Sequence, residues 1–219
     1  MRTNQEYKNS ALEALSGRWA PAVVCTVVYM LIAGCVVTGS YMFDITSMRP
    51  GILLVFCGSS FLLSLLVSNP LAVGYYCAFN DLYSSGNDRL TGNMLGKAFG
   101  RVLRNGWGIM LMYIFIFLWS LLLVIPGLIK SFSYAMTPYI LVDYPELSAN
   151  QAINLSRKMM KGHKFDYFWL CLSFLGWILV GILTLGIGYL WLIPYITTAS
   201  AAFYQDVKSE YEARTANNN

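Results

Sequence analysis

The chain has 219 residues, of which 57% are hydrophobic and 12% charged, with a formal net charge of +4. Soluble domains carry roughly 25% charged residues, so an ordinary water-soluble domain is excluded. Five uncharged stretches (19–43, 50–80, 105–129, 131–142 and 167–205) hold 132 of the residues. That is more apolar length than a core of this size can hide from water, and a multi-spanning membrane protein follows. The excess of Lys and Arg suits cytoplasmic loops beside anionic lipid heads. It does not suit nucleic acid, because no basic run is interleaved with stacking aromatics in a solvated domain.

The chain opens on an amphipathic helix. Thr3 and Glu6 have capping-box spacing, and Tyr7, Ala11, Ala14 and Leu15 line one face. A helix needs ~20 residues to cross ~30 Å of hydrocarbon, and 19–40 fits one span. Within it Ile32-Ala33-Gly34-Cys35 matches a lipobox. The region before it is long and holds Glu6 and Glu13, unlike the short basic start of a leader, so an ordinary first span is the reading kept. Residues 52–79 make the second span. The stretch 50–80 would run ~46 Å as a helix, and Asn69-Pro70 interrupts it, so a kinked span with an extension is expected.

Residues 91–104 are a second amphipathic segment, with Met94, Leu95, Ala98, Phe99 and Val102 opposite Lys97, Arg101 and Arg104. A third span fits 107–125, ending at Pro126-Gly127. The next apolar segment, 128–142, is short and holds Lys130. The distribution of basic residues decides its path. If it crosses, six spans place both termini and thirteen of fifteen Lys and Arg on one side, with Arg49 and Lys130 opposite. If it does not, the basic stretch 157–164 changes sides and the asymmetry disappears. The six-span reading is adopted, with Pro138 bending the fourth span.

Residues 148–162 are the clearest amphipathic segment. Ser148 and Gln151 form an S-x-x-Q capping box, and Ala149, Ala152, Ile153, Ser156, Met159 and Met160 share one face. Asn150, Asn154, Arg157, Lys158, Lys161 and Lys164 occupy the other side, and Gly162 is a stop signal. The last uncharged stretch would reach ~58 Å as one helix. Thr184-Leu185-Gly186-Ile187-Gly188 is therefore read as a turn between spans 167–183 and 188–204. The expected fold class is an all-α membrane protein of six transmembrane helices in three hairpins, with amphipathic interfacial helices before spans one, three and five. Residues 1–207 form one polytopic domain and 208–219 a flexible polar tail. The even spans resemble one another: Pro70 precedes Ala78-Phe79 and Asp81, and Pro194 precedes Ala202-Phe203 and Asp206, which suggests an old repeat.

The chemistry is sparse. Cys25, Cys35, Cys57, Cys77 and Cys171 all lie in uncharged stretches, none at C-x-x-C spacing, beside a single His163 in a basic interfacial stretch. No metal ligand set converges, and no cofactor is expected. No Asp, Glu, Arg or His falls inside an expected span, which argues against an enzyme or an ion-coupled carrier. Two groups remain as candidate sites. Lys97, Arg101, Arg104, Arg157, Lys158, Lys161 and Lys164 are candidate ligands for lipid headgroups, with plain anchoring as the alternative. Asn69, Lys130 and Ser133 are a candidate intramembrane polar site, with helix glue and snorkelling as the alternative.

The second half of the chain carries a further signal. It reads Ile125-Pro126-Gly127-Leu128-Ile129-Lys130, Ser133-Tyr134, Pro138-Tyr139-Ile140, then Ala152-Ile153 and Ser156 through Lys164. Leu172 through Trp177, Thr184 through Gly188, Pro194-Tyr195 and Ala202-Phe203-Tyr204 follow. This ordered run over 125–207 resembles the integral membrane proteins grouped as domain-of-unknown-function family 975, and Asn69-Pro70 with Gly74-Tyr75 continues the likeness more loosely. The resemblance implies a bacterial inner-membrane protein of several helices and brings no substrate or reaction. With both termini cytoplasmic, the leading expectation is a non-enzymatic protein that binds anionic lipids, or a homo-oligomeric or membrane-protein partner, in envelope homeostasis. The alternative is a small permease or lipid transporter with a cavity near Asn69 and the short fourth span.

Overall fold

The computed structural model describes residues 2–41 and 58–216. Arg49, Cys57 and the expected start of the second span lie outside the described residues, as does the side chain of Cys35. The regular elements are all helices: α1 (Asn4–Leu15), α2 (Trp19–Tyr41), α3 (Gly58–Ser85), α4 (Leu90–Gly100), α5 (Val102–Leu122) and α6 (Val124–Tyr134). They continue with α7 (Thr137–Asp143), α8 (Ala149–Met159), α9 (Lys164–Leu172), α10 (Leu175–Leu183) and α11 (Tyr189–Ala216).

Local chemistry sets the helix ends. Thr3 N–H donates to Glu6 Oε2 at 2.6 Å while Thr3 Oγ1 accepts from Glu6 N–H, and Ser148 and Gln151 repeat this reciprocal box before α8. Gly162, at φ +99°, takes the left-handed conformation that stops α8's run. The turn after α10 has two left-handed residues, Leu185 and Gly186, and Gly186 N–H caps the Gly181 carbonyl.

Pro70 does not break α3. It has no N–H to offer, so the preceding turn widens to a π-helix over Ser64–Ser68, where Asn69 N–H reaches back to the Ser64 carbonyl. Pro138 behaves differently from the expected bend. The segment divides before it, at Ala135 and Met136, and Pro138 sits in the first turn of α7, where its missing N–H is harmless. The expected fifth span likewise has a break, at Ser173-Phe174, between α9 and α10. Residues 208–216 extend α11 as helix where the sequence suggests a flexible tail.

The chain returns repeatedly to one end. Arg2 pairs with Asp206 at 3.1 Å, Arg18 with Asp88 at 2.5 Å, Lys97 with Asp81 at 2.6 Å and Lys208 with Asp143 at 2.6 Å. His163 lies between Asp166 and Glu210, and Arg214 pairs with Glu210. All these residues belong to the segments 2–18, 81–104, 143–166 and 206–214. Between them run three apolar excursions, and two can be followed in full. α6 and α7 run back along α5: Lys130 sits 4.3 Å over the Trp119 ring, Tyr134 meets Phe115, and Leu141 meets Gly108. α11 runs back along α9 and α10: Tyr189 OH donates to Ile178 O, Phe174 meets Tyr195, and Tyr167 OH donates to Ser200 Oγ.

The side chains are distributed inside out. The well-packed core lies toward the charged end, with Tyr7, Leu82, Met94, Ile140, Met159, Phe203 and Tyr204 fully buried. At the other end Leu185 is 94% exposed, Leu183 81% and Leu121 73%. In water each such leucine would forfeit ~1.5–3 kcal/mol of burial; a hydrocarbon solvent removes that cost. Gly58–Ser85, Val102–Leu121 and Lys164–Leu183 are long and apolar enough to cross a membrane. Asn4–Leu15 with Trp19–Gly34, bent by 97°, makes a fourth candidate. α3 and α11 pack together, and Gln205 Nε2 donates to Asn80 Oδ1 at 2.7 Å.

One expectation changes. The amphipathic helices do not lay their apolar faces into lipid. Tyr7, Ala11 and Leu15 of α1, Met94 and Ala98 of α4, and Ala152, Ile153 and Met159 of α8 are buried in the protein itself. A helix resting on a polytopic protein meets other helix ends before it meets acyl chains, and only flanking residues such as Phe99 and Leu103 remain exposed.

Candidate functional site

The seven cations singled out by sequence divide into two sets. Lys97 Nζ donates to Asp81 Oδ1 at 2.6 Å, and Arg101 Nη1 donates to the Pro145 carbonyl. The Arg104 guanidinium donates to three carbonyls, Leu141 at 2.6 Å, Tyr144 at 2.8 Å and Leu147 at 2.8 Å. These are the orphan acceptors at the C-terminus of α7 and in the loop after it, and a planar fork of five donors can satisfy them together. Lys97, Arg101 and Arg104 thus each have a protein partner, which the sequence does not reveal because the partners lie in other elements.

Arg157, Lys158, Lys161 and Lys164 are different. Among the described residues their side chains make no hydrogen bond and no ion pair. Their placement follows from the local sequence: the Ser148 box starts α8, the buried face fixes its rotation, and Arg157 and Lys158 fall in its exposed last turn. Lys130, on α6, lies apart from this set in its ring contact, 4.3 Å over Trp119. Its stem lies along that ring, as a snorkelling side chain's does. Four positive charges lie along 157–164, and Asp166 lies 3.6 Å from His163 Nδ1.

Beside this patch is a groove of about 690 Å³ between α8, α11 and the loop after α7. Tyr144, Leu147, Gln151, Asn154, Leu155, Arg157, Lys158 and Tyr211 line it. Tyr144 is held from two directions: Arg104 grips its carbonyl, and its hydroxyl donates to Glu212 Oε1 at 2.9 Å. Burial, and then that carboxylate, keep the Tyr144 phenol protonated well above its usual range. Sequence reasoning places Asn154, Arg157 and Lys158 on the polar face but misses Tyr144 and Tyr211. The signal for Tyr211 is the continued spacing Phe203, Val207, Tyr211, which carries the helical stripe past residue 208.

Asn69, Lys130 and Ser133 are not brought together in one cavity. Asn69 Nδ2 donates to the Gly106 carbonyl at 3.3 Å and faces a pocket of about 310 Å³ lined by Phe61, Ser64, Met110, Tyr113, Ile114 and Phe117. Ser133 is buried within the α6–α8 contact: its Oγ donates to the Ile129 carbonyl, and its own carbonyl accepts from Ser156 Oγ at 3.0 Å. His163 is buried between two carboxylates, with Nε2 3.5 Å from Glu210 Oε2.

A sequence profile of the family described as "Protein of unknown function (DUF975)" matches residues 65–211. No curated protein and no solved structure matches the chain.

Proposed function

The chain belongs to the DUF975 family, and on that premise we propose that it is a non-enzymatic protein of the bacterial inner membrane that binds anionic lipid headgroups. The observation that carries this reading is the set of four cations, Arg157, Lys158, Lys161 and Lys164, whose side chains have no hydrogen-bond or ion-pair partner among the described residues. Uncompensated like charges held together are costly unless an anion joins them, and phosphate headgroups are the anions a membrane supplies.

The proposal includes six crossings with both termini on the cytoplasmic side. Its support is topological. Arg101 and Arg104 bond carbonyls of Leu141, Tyr144, Pro145 and Leu147, so the chain between them leaves one face and returns to it. A segment that does so crosses an even number of times. α6 and α7 are each too short to span alone, but together they run back over most of the length of α5. Cysteine labelling at Asn87→Cys and Lys161→Cys, in a chain freed of native cysteines, is the direct test. Both positions react from the same face; reaction from opposite faces would refute the return crossing.

Lipid binding is tested by native mass spectrometry of the full-length protein in detergent. The wild type retains phosphatidylglycerol in preference to phosphatidylcholine, and R157A/K158A/K161A/K164A loses that preference. Equal retention of the two lipids by the wild type overturns the reading. A transport reading stands second, supported by the pocket at Asn69 beside the widened turn of α3. Its mostly aromatic and aliphatic lining suits an acyl chain more than a polar solute, and neither Lys130 nor Ser133 lines it.

A further inference from the structure

We infer that the groove between α8 and α11 is a phosphate-binding site in its own right. This rests on the headgroup reading only for the source of the phosphate, not for the site. Five side chains around the groove have a free donor among the described residues, and two of them carry a formal positive charge. The Arg157 and Lys158 side chains have no hydrogen-bond or ion-pair partner among the described residues. Gln151 has its carbonyl engaged by Ser148 N–H at 2.7 Å, which leaves its amide N–H₂ for a ligand. Asn154 and the Tyr211 hydroxyl make no side-chain hydrogen bond among the described residues. No carboxylate lines the groove, and the nearby Glu212 is engaged by Tyr144.

Five donor groups around one cavity exceed what a carboxylate's two oxygens take up, whereas the oxygens of a phosphate ester accept that many. The volume, about 690 Å³, is that of a small-molecule site. The ring of Tyr144 offers apolar surface for the glycerol or sugar that carries the phosphate. The site is also composite. α8 supplies the charges, and Tyr211 comes from α11, more than fifty positions later. The wall at Tyr144 is rigid because Arg104 and Glu212 hold it. This arrangement distinguishes the groove from Lys161 and Lys164, which do not line it.

The phosphate can come from a lipid headgroup or from a soluble ester, and two probes separate these sources. Full-length protein in phosphatidylcholine nanodiscs is titrated with phosphatidylglycerol in one arm and inorganic phosphate in the other. Asn154→Ala and Tyr211→Ala are compared with Lys161→Ala and Lys164→Ala. Loss of one charge-assisted or neutral contact in such a site weakens binding by up to about tenfold. A loss of that order in Asn154→Ala and Tyr211→Ala supports the groove, with the lipid as source if it is seen for phosphatidylglycerol and a soluble ester if for inorganic phosphate. Groove variants that bind both probes as the wild type does overturn it. If phosphatidylglycerol binding then falls only in Lys161→Ala and Lys164→Ala, the wider headgroup reading survives without the groove. If inorganic phosphate binds at the groove while phosphatidylglycerol is not preferred, the headgroup reading fails and the groove stands. If neither probe binds the wild type, both fail. Asn154 is exposed, so its substitution leaves folding intact even where Tyr211→Ala disturbs α11.

Discussion

Lys208 reaches Asp143 at 2.6 Å across sixty-five positions of chain, and the same Oδ2 accepts the Tyr204 hydroxyl at 2.8 Å. One carboxylate thus fastens α11 to the end of α7. Asp143→Ala leaves an ammonium and a phenol without their acceptor, and the pair is only partly exposed, so a loss of about 2–3 kcal/mol is expected. Asp143→Asn keeps one acceptor and loses less. Thermal unfolding in detergent measures both, and equal melting of Asp143→Ala and wild type contradicts the assignment.

Arg104 tests the difference between a fork and a point charge. Arg104→Lys preserves the charge but cannot reach three carbonyls together. The expected cost is about 2–4 kcal/mol for Arg104→Lys and somewhat more for Arg104→Ala, since three partly buried carbonyls are left bare. Lys161→Ala, at an exposed cation without a partner, stays within about 0.5 kcal/mol of wild type. Stability that depends on charge alone would show Arg104→Lys unchanged.

Gly106 marks the closest approach of α5 to the widened turn of α3. A Cβ there would land on the Leu65 carbonyl, backbone that cannot move aside cheaply. Gly106→Ala is expected to cost more than about 3 kcal/mol or to abolish accumulation of folded protein. Gly92 and Gly96 of α4 face open space, and alanine at either gains up to about 1 kcal/mol of helix propensity. Similar yields and melting for Gly106→Ala and Gly92→Ala would show that this crossing is looser than described.

The first turn of α1 carries a pH dependence. Hydrogen bonds from Thr3, its backbone N–H first, hold the Glu6 carboxyl below its ordinary range. A depressed carboxyl stabilises above its unfolded pKa, and that contribution fades as pH falls through the folded value. Amide exchange at Glu6 and Tyr7 therefore quickens between roughly pH 6 and pH 3 beyond the intrinsic trend. Glu6→Gln retains the box and removes the pH dependence. The same protection factors in both proteins across that window would contradict this.

Much of this molecule is legible in the sequence because its signals are local. Thr3 with Glu6, Ser148 with Gln151, Gly162 and the turn at Leu185-Gly186 depend on neighbours within six residues, and all form as their spacing predicts. The apolar stretches are legible because the bilayer acts as a second ruler. The fates of Lys97, Arg101 and Arg104 are not, since a basic residue on a polar face looks the same whether it meets a phosphate or a carbonyl forty positions away. The two chain breaks, at 135–136 and 173–174, carry little composition signal. The groove depends on Tyr211 meeting α8, which only tertiary packing arranges.

The docking of α1 has a consequence for biosynthesis. Its polar anchors are chiefly late residues: Arg2 and the Tyr7 hydroxyl both bind Asp206, Tyr7 packs on Phe203, and Lys8 donates to the Ser173 carbonyl. α1 is thus covered only after segments far downstream of it have been made. Until α11 is made, the face of Tyr7, Ala11 and Leu15 has most of its partners missing, and a chain stopped at Gly188 is expected to show protease cleavage within α1 that the full chain resists. α1 in this way reports whether α11 has been made and docked.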